Sequence, residues 1–301
     1  MLTENCREAV LSEIGQRRLP ADFMSTVERW YLPLAQFIND CYRHKQNPLL
    51  VSFNGAQGSG KSTITAFLTL LLQQQFELFS VEISIDDFYL THAQRQQLAQ
   101  QVHPLFATRG VPGTHDVALA QQTLQCLRNC SEQSPCRLPR FDKSIDDRMD
   151  ASAWISVRQP VKVILFEGWC NHAPVQSEQQ LQQPVNELER DEDASGVWRR
   201  YANDQLALYH RRLFDQAELK IFLQAPNFEK VYEWRGLQEQ KLALDSTKNN
   251  HAVMNPEQLK RFIQHYERIT RYSLEQLPAS ADVVLTLDDD HAISGLKLKE
   301  C

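Results

Sequence analysis

The hydrophobic pattern changes period at residue 49. Upstream, Trp30, Tyr31, Leu34, Phe37 and Ile38 recur at helical spacing and predict an apolar helix stripe, so residues 1–48 are expected to form a helical N-terminal extension. From Leu49 the chain reads Leu-Leu-Val-Ser-Phe, an apolar run without alternation, as expected of a strand covered on both faces of a parallel sheet. Helical spacing returns over residues 64–76. Residues 81–85, 161–166, 219–223 and 283–287 are further apolar runs of strand length, with helical stretches between them. This β-α-β alternation predicts an α/β fold with a parallel sheet flanked by helices, occupying residues 49–301. Residues 174–196 are Gln-rich and acidic and are expected to form a partly mobile surface insertion.

Composition narrows the partners. At 42% hydrophobic and 23% charged, the chain can bury a sizeable core. A net charge of -6 argues against a broad nucleic-acid or anionic-membrane surface, although it leaves room for a basic pocket around one small anion. No apolar run approaches the ~20 residues needed to cross a bilayer. The N-terminus lacks the basic-then-apolar pattern of a signal peptide, and a cytoplasmic location is expected. The seven cysteines include no CxxC pair, and Cys126, Cys130 and Cys136 fit no common metal spacing, so reduced thiols are expected.

Candidate chemistry begins directly after the first strand. Gly55, Ala56, Gln57, Gly58, Ser59, Gly60, Lys61 and Ser62 match GxxxxGK[ST], and Thr63 continues into the following helix. Such a loop turns successive backbone N–H groups toward phosphates, helped by the positive end of the helix. Lys61 is expected at the β- and γ-phosphates of ATP, and Ser62 on magnesium. The strand before the motif and the amphipathic helix after it provide the context that a chance match lacks.

Further acids sit at strand ends on the same edge of a parallel sheet. Asp86 and Asp87, in Ser-Ile-Asp-Asp-Phe-Tyr, can place a carboxylate near the γ-phosphate to accept a hydroxyl proton, or can merely cap a turn. Glu167, ending the third apolar run, stands where a second magnesium-site residue is needed. Between them, two Pro- or Gly-punctuated loops carry Arg109, His115, Arg140 and Lys143, with Phe141 their only aromatic residue. This set suits a small anionic acceptor better than a nucleoside, and solvated surface charge is the plainer alternative. Arg235 and Lys241 are candidates for a lid that closes over the transferred phosphate.

Taken together, GAQGSGKST, SIDDFYLT, RGVPGTHD, LPRFDKS, ILFEGW and VYEWRGLQEQ resemble the D-glycerate 3-kinase family of plants and cyanobacteria, with its fungal and bacterial relatives. That family lies within a broader group of P-loop kinases that includes uridine kinase, phosphoribulokinase and pantothenate kinase. The resemblance spans residues 49–288. It implies ATP and magnesium, a five-stranded core sheet with a mobile lid, and Asp86 as the base; Lys61 and Arg235 are expected as further catalytic groups, and Tyr89 as part of the acceptor site. The chain departs from the pattern at Gly236, at Ile145-Asp146-Asp147-Arg148, and over residues 174–196. Pantothenate, a nucleoside or a sugar phosphate are alternative acceptors. A P-loop ATPase or nucleotide-dependent regulator is the alternative outside kinases.

Overall fold

A computed structural model of the chain describes residues 1–245 and 254–299. The five apolar runs become five parallel strands: β1 (Leu49–Gly55), β2 (Ser80–Ser84), β3 (Val163–Gly168), β4 (Leu219–Gln224) and β5 (Val283–Leu287). A strand that the hydrophobic pattern did not reveal, β6 (Ile293–Leu298), pairs antiparallel with β5, giving a six-stranded sheet in the order β6-β5-β4-β1-β3-β2. The implied five-stranded sheet is therefore extended by a partly exposed edge strand.

Side chains alternate between two cores because successive strand residues face opposite sides of the sheet. Leu49, Val51, Phe53, Val163 and Leu165 face one core, while Leu50, Ile164 and Phe166 face the other. The first core is closed by α1 (Glu4–Gln16), α2 (Leu32–Lys45) and α3 (Lys61–Phe76), which bring Val10, Leu34, Ile38, Phe67 and Leu71 to it. The N-terminal helices thus share a core with the phosphate-loop strand. The second core is covered by α5 (Val117–Arg128) and α6 (Val197–Arg212), with α4 (His92–Gln101) packed at its margin through Leu98. Two long helices, α7 (Phe228–Asp245) and α8 (Pro256–Ser280), follow β4. Gly236 lies within α7, which runs through it unbroken.

Residues 174–196 differ from the partly mobile segment expected of an acidic, Gln-rich stretch. They contain two short helices, Glu178–Leu181 and Glu187–Glu192, and both are tied down. Glu189 makes a two-pronged pair with Arg268 of α8, at 2.7 and 2.5 Å, with both side chains buried. Arg268 also donates to the carbonyls of Gln180 and Gln183. Asp193 pairs with Arg199 at 2.9 Å, again fully buried. Charges removed from water are costly unless paired, so these contacts fix the backbone that brings them together. Among the described residues, no helix is long and apolar enough to cross a membrane.

Candidate active site

The parallel registers bring the ends of β1, β2 and β3 to one edge, with Ser84 beside Glu167 and Asn54 beside Gly168. Just past β1 the phosphate loop turns into α3, whose N-cap is Gly60. Lys61 Nζ donates to the Ala56 carbonyl at 2.9 Å, closing the loop on itself. Burial lowers the Lys61 pKa, and the negative charges of Glu167 and Asp86 oppose that shift. Gly58 has a φ of 77°, which other residues adopt only with strain, and a Cβ there would stand a tight 3.2 Å from Cβ of Trp234 on α7. The Trp234 ring packs on His291 at 4.4 Å, over the same loop. Arg235, expected as a lid residue, sits on α7 with its guanidinium 5.6 Å from the centre of the Phe262 ring. Lys241 lies farther along that helix, its side chain outside the described residues.

Ser62 and Glu167, the two residues expected at magnesium, lie against each other. The Ser62 hydroxyl donates to Glu167 Oε1 at 3.4 Å. Glu167 is buried, which raises its pKa against the pull of Lys61. A hydroxyl and a carboxylate are hard oxygen donors and fit magnesium. Among the described residues no group of three acidic, His or Cys side chains forms a metal cage, so nucleotide oxygens and water would complete such a site.

The two adjacent acids have different partners. Asp86 accepts from the Tyr89 hydroxyl at 2.7 Å and from Lys143 Nζ at 2.7 Å. Burial opposes its ionisation, but the charge and hydrogen bond of Lys143 and the bond from Tyr89 prevail, and its pKa lies well below the usual carboxylate range. Asp87 instead accepts from Arg140 at 2.6 Å and from the Phe141 N–H, and burial raises its pKa despite Arg140.

The two loops expected to bind an acceptor converge on this pair, although their arginines are engaged. Arg109 forms an ion pair with Asp146, which also holds the buried Arg95 at 2.9 Å. Arg148 pairs with Asp116 at 3.2 Å. The two arginines expected to grip an acceptor, Arg109 and Arg140, are thus each neutralised by the chain's own carboxylates. Lys143 is the more accessible cation, its side chain 59% exposed. Gly110, at φ 139°, fits beneath Tyr266, whose hydroxyl would overlap any Cβ there, and its carbonyl accepts from Trp169 Nε1 at 2.9 Å.

His115 lies within this group. Its ring stacks on Tyr89 at 4.5 Å, and burial pushes its pKa down to about 4. Behind it stands Tyr209 of α6, a residue no motif singles out, whose hydroxyl lies 3.0 Å from His115 Nδ1. Asp146 and Tyr209 were both missed as site residues. Asp146 carried one hint, as part of the departure after the LPRFDKS loop, whereas Tyr209 carried none.

No protein-family model matches the chain. An uncharacterized kinase of Schizosaccharomyces pombe is 30% identical over 251 residues, covering 81% of this chain and 87% of that protein. The chain belongs to the glycerate 3-kinase-like family of P-loop kinases. A probable ATP-dependent kinase of Saccharomyces cerevisiae is 31% identical over 273 residues, 84% of this chain and 89% of its own length. The chloroplastic D-glycerate 3-kinase of Arabidopsis thaliana is 31% identical over 264 residues, and the match covers 53% of that longer protein. The fold of the D-glycerate 3-kinase from Cryptococcus neoformans superposes with a TM-score of 0.75 at 25% identity, covering 93% of this chain and 99% of that one. As a member of this family the chain is a kinase, and its mostly parallel sheet with flanking helices is the family's fold.

Proposed function

We propose that this kinase transfers the γ-phosphoryl group of ATP to a hydroxyl of a small hydroxy acid, with D-glycerate as first choice. One observation carries the reading. Asp86, two residues past β2 and within electrostatic reach of Lys61, is surrounded by Lys143, Tyr89 and His115, a set of side chains suited to a small anion that carries a hydroxyl. The names of the Arabidopsis and Cryptococcus relatives support the same acceptor.

In the reaction the acceptor oxygen attacks the γ-phosphorus, the bond from that phosphorus to the β–γ bridging oxygen breaks, and ADP departs. The hydroxyl proton passes to Asp86. Lys61 neutralises charge building toward the leaving oxygen, and the loop amides from Gly55 to Thr63 hold the phosphates. Ser62 and Glu167 would hold magnesium, which would supply neutralisation of phosphate charge. Lys143 has two claims on it. An incoming carboxylate draws it from Asp86, which then regains basicity when a hydroxyl is present to use it. Arg109 and Arg140 shape the pocket wall and add positive potential, and Arg235 on α7 serves the phosphate side.

The test is ATP consumption and product analysis with a panel of hydroxy acids, pantothenate, nucleosides and sugar phosphates. The expected result is turnover with D-glycerate or a close hydroxy acid. Turnover with nucleosides alone, or equal ATP hydrolysis with and without every acceptor, would sink the proposal.

A further inference from the structure

The bonds around Tyr209 determine where the proton on His115 sits. The backbone N–H groups of Gly113 and His115 both donate to the Tyr209 oxygen, at 2.7 and 3.3 Å. A phenol oxygen has two lone pairs, so both are taken and its own hydrogen must be donated elsewhere. His115 Nδ1, 3.0 Å away, receives it. A neutral imidazole that accepts at Nδ1 carries its proton on Nε2. Burial keeps the ring neutral, and protonating Nδ1 would turn a donor against the Tyr209 hydrogen.

His115 Nε2 is buried and has no hydrogen-bond partner among the described residues. The ring lies against Tyr89, whose hydroxyl is on Asp86, and within range of the Asp86 charge. A buried donor beside the base is satisfied when a substrate oxygen meets it.

We propose that Tyr209 is a positioning residue that locks His115 in its Nε2–H tautomer, so that the ring offers the acceptor substrate one donor and no acceptor. This rests on reading the pocket around Asp86 as the acceptor site. The lock selects ligands that place an oxygen lone pair at that point and disfavours those that place an N–H or ammonium there. Tyr209 reaches His115 from a helix 94 residues downstream, so the selectivity of the RGVPGTHD loop depends on a residue outside it.

The experiment uses full-length protein with 15N-labelled histidine. Long-range 1H–15N spectra at neutral pH, without substrates, should show wild-type His115 protonated at Nε2 alone, with assignment from the signal lost in His115→Gln. Tyr209→Phe should give a mixture of tautomers. In kinetics, Tyr209→Phe should lower kcat/KM for the acceptor about tenfold, as for loss of one hydrogen bond, and leave KM for ATP unchanged. The same change in a His115→Gln background should cost clearly less, because the Gln amide has no tautomers and only the loss of the acceptor for the two backbone N–H groups remains. A wild-type ring protonated at Nδ1 overturns the proposal. So does an equal loss from Tyr209→Phe in both backgrounds, which would make the tyrosine a packing residue only. If the wild type phosphorylates no hydroxy acid, the acceptor reading fails, while the spectra still decide the tautomer lock by themselves.

Discussion

With Lys143 on one oxygen and Tyr89 on the other, Asp86 is a weaker base than an isolated aspartate. Lys143→Met removes the strongest influence lowering its pKa, so the Asp86 pKa should rise. The acidic limb of kcat/KM should therefore move to higher pH, while KM for the acceptor rises about tenfold or more, as when one partner of a charge pair is lost. Rates across pH 5–8, with ATP and acceptor varied separately, measure both. The neighbouring acids should separate by experiment too. Asp86→Asn should bind ATP normally and lose on the order of 10²-fold in kcat, because the amide cannot take the proton. Asp87→Asn should instead lower the melting temperature, since it leaves half-buried Arg140 without its carboxylate. A larger kcat loss from Asp87→Asn would reverse the two roles. The placing of Lys61, Ser62 and Glu167 at one sheet edge was legible because a local motif or the end of an apolar run marks each of them. The pairing of Arg109 with Asp146, 37 residues away, was not, because an ion pair across a loop leaves no periodic trace.

At the level of elements, burial on both faces made β1 to β5 visible as unbroken apolar runs. β6 escaped because it is half exposed, contains Gly295 and Lys297, and borders solvent. The two-stranded pairings Cys136–Leu138 with Ile155–Val157 and Phe141–Asp142 with Asp147–Arg148 are too short to leave a pattern. Residues 174–196 misled for a different reason. Their composition is that of a solvated loop, but Glu189 and Asp193 are anchors whose partners, Arg268 and Arg199, lie on later helices. Glu189→Ala should destabilise the protein by about 3–5 kcal/mol, as expected when a buried arginine loses its partner. Both KM values should stay near wild type. Denaturant unfolding alongside steady-state kinetics tests this, and a stability loss under about 1 kcal/mol would return the segment to the status of a loose insertion.

Across the whole molecule, His172 gives a handle on acid sensitivity. It follows β3 with φ at 58°, and burial, then Lys220 and His210, push its pKa down to about 3. The unfolded chain takes up this proton near pH 6.5 and the folded one does not, so stability falls as pH drops from 6.5 toward 3. His172→Asn, which tolerates the same backbone conformation, should flatten that slope by about 1.4 kcal/mol per pH unit, the weight of one proton. Unfolding curves at pH 4.5, 5.5 and 6.5 supply the comparison, and an unchanged slope would show that His172 titrates alike in both states.

The strand order also sets a timetable for synthesis. β1 is made well before its two neighbours in the sheet, β3 and β4, the nearer of which begins at Val163. At 5–20 residues per second, roughly 5–20 s pass before β1 has a strand to pair with. During that interval α1 and α2, already synthesised, and α3, made next, can shield one face of β1, while its other face and both edges wait. The N-terminal helices then act as a built-in escort for a strand whose partners have yet to be translated. Nascent chains arrested before residue 163 should hold no nucleotide, even though the whole phosphate loop has been made.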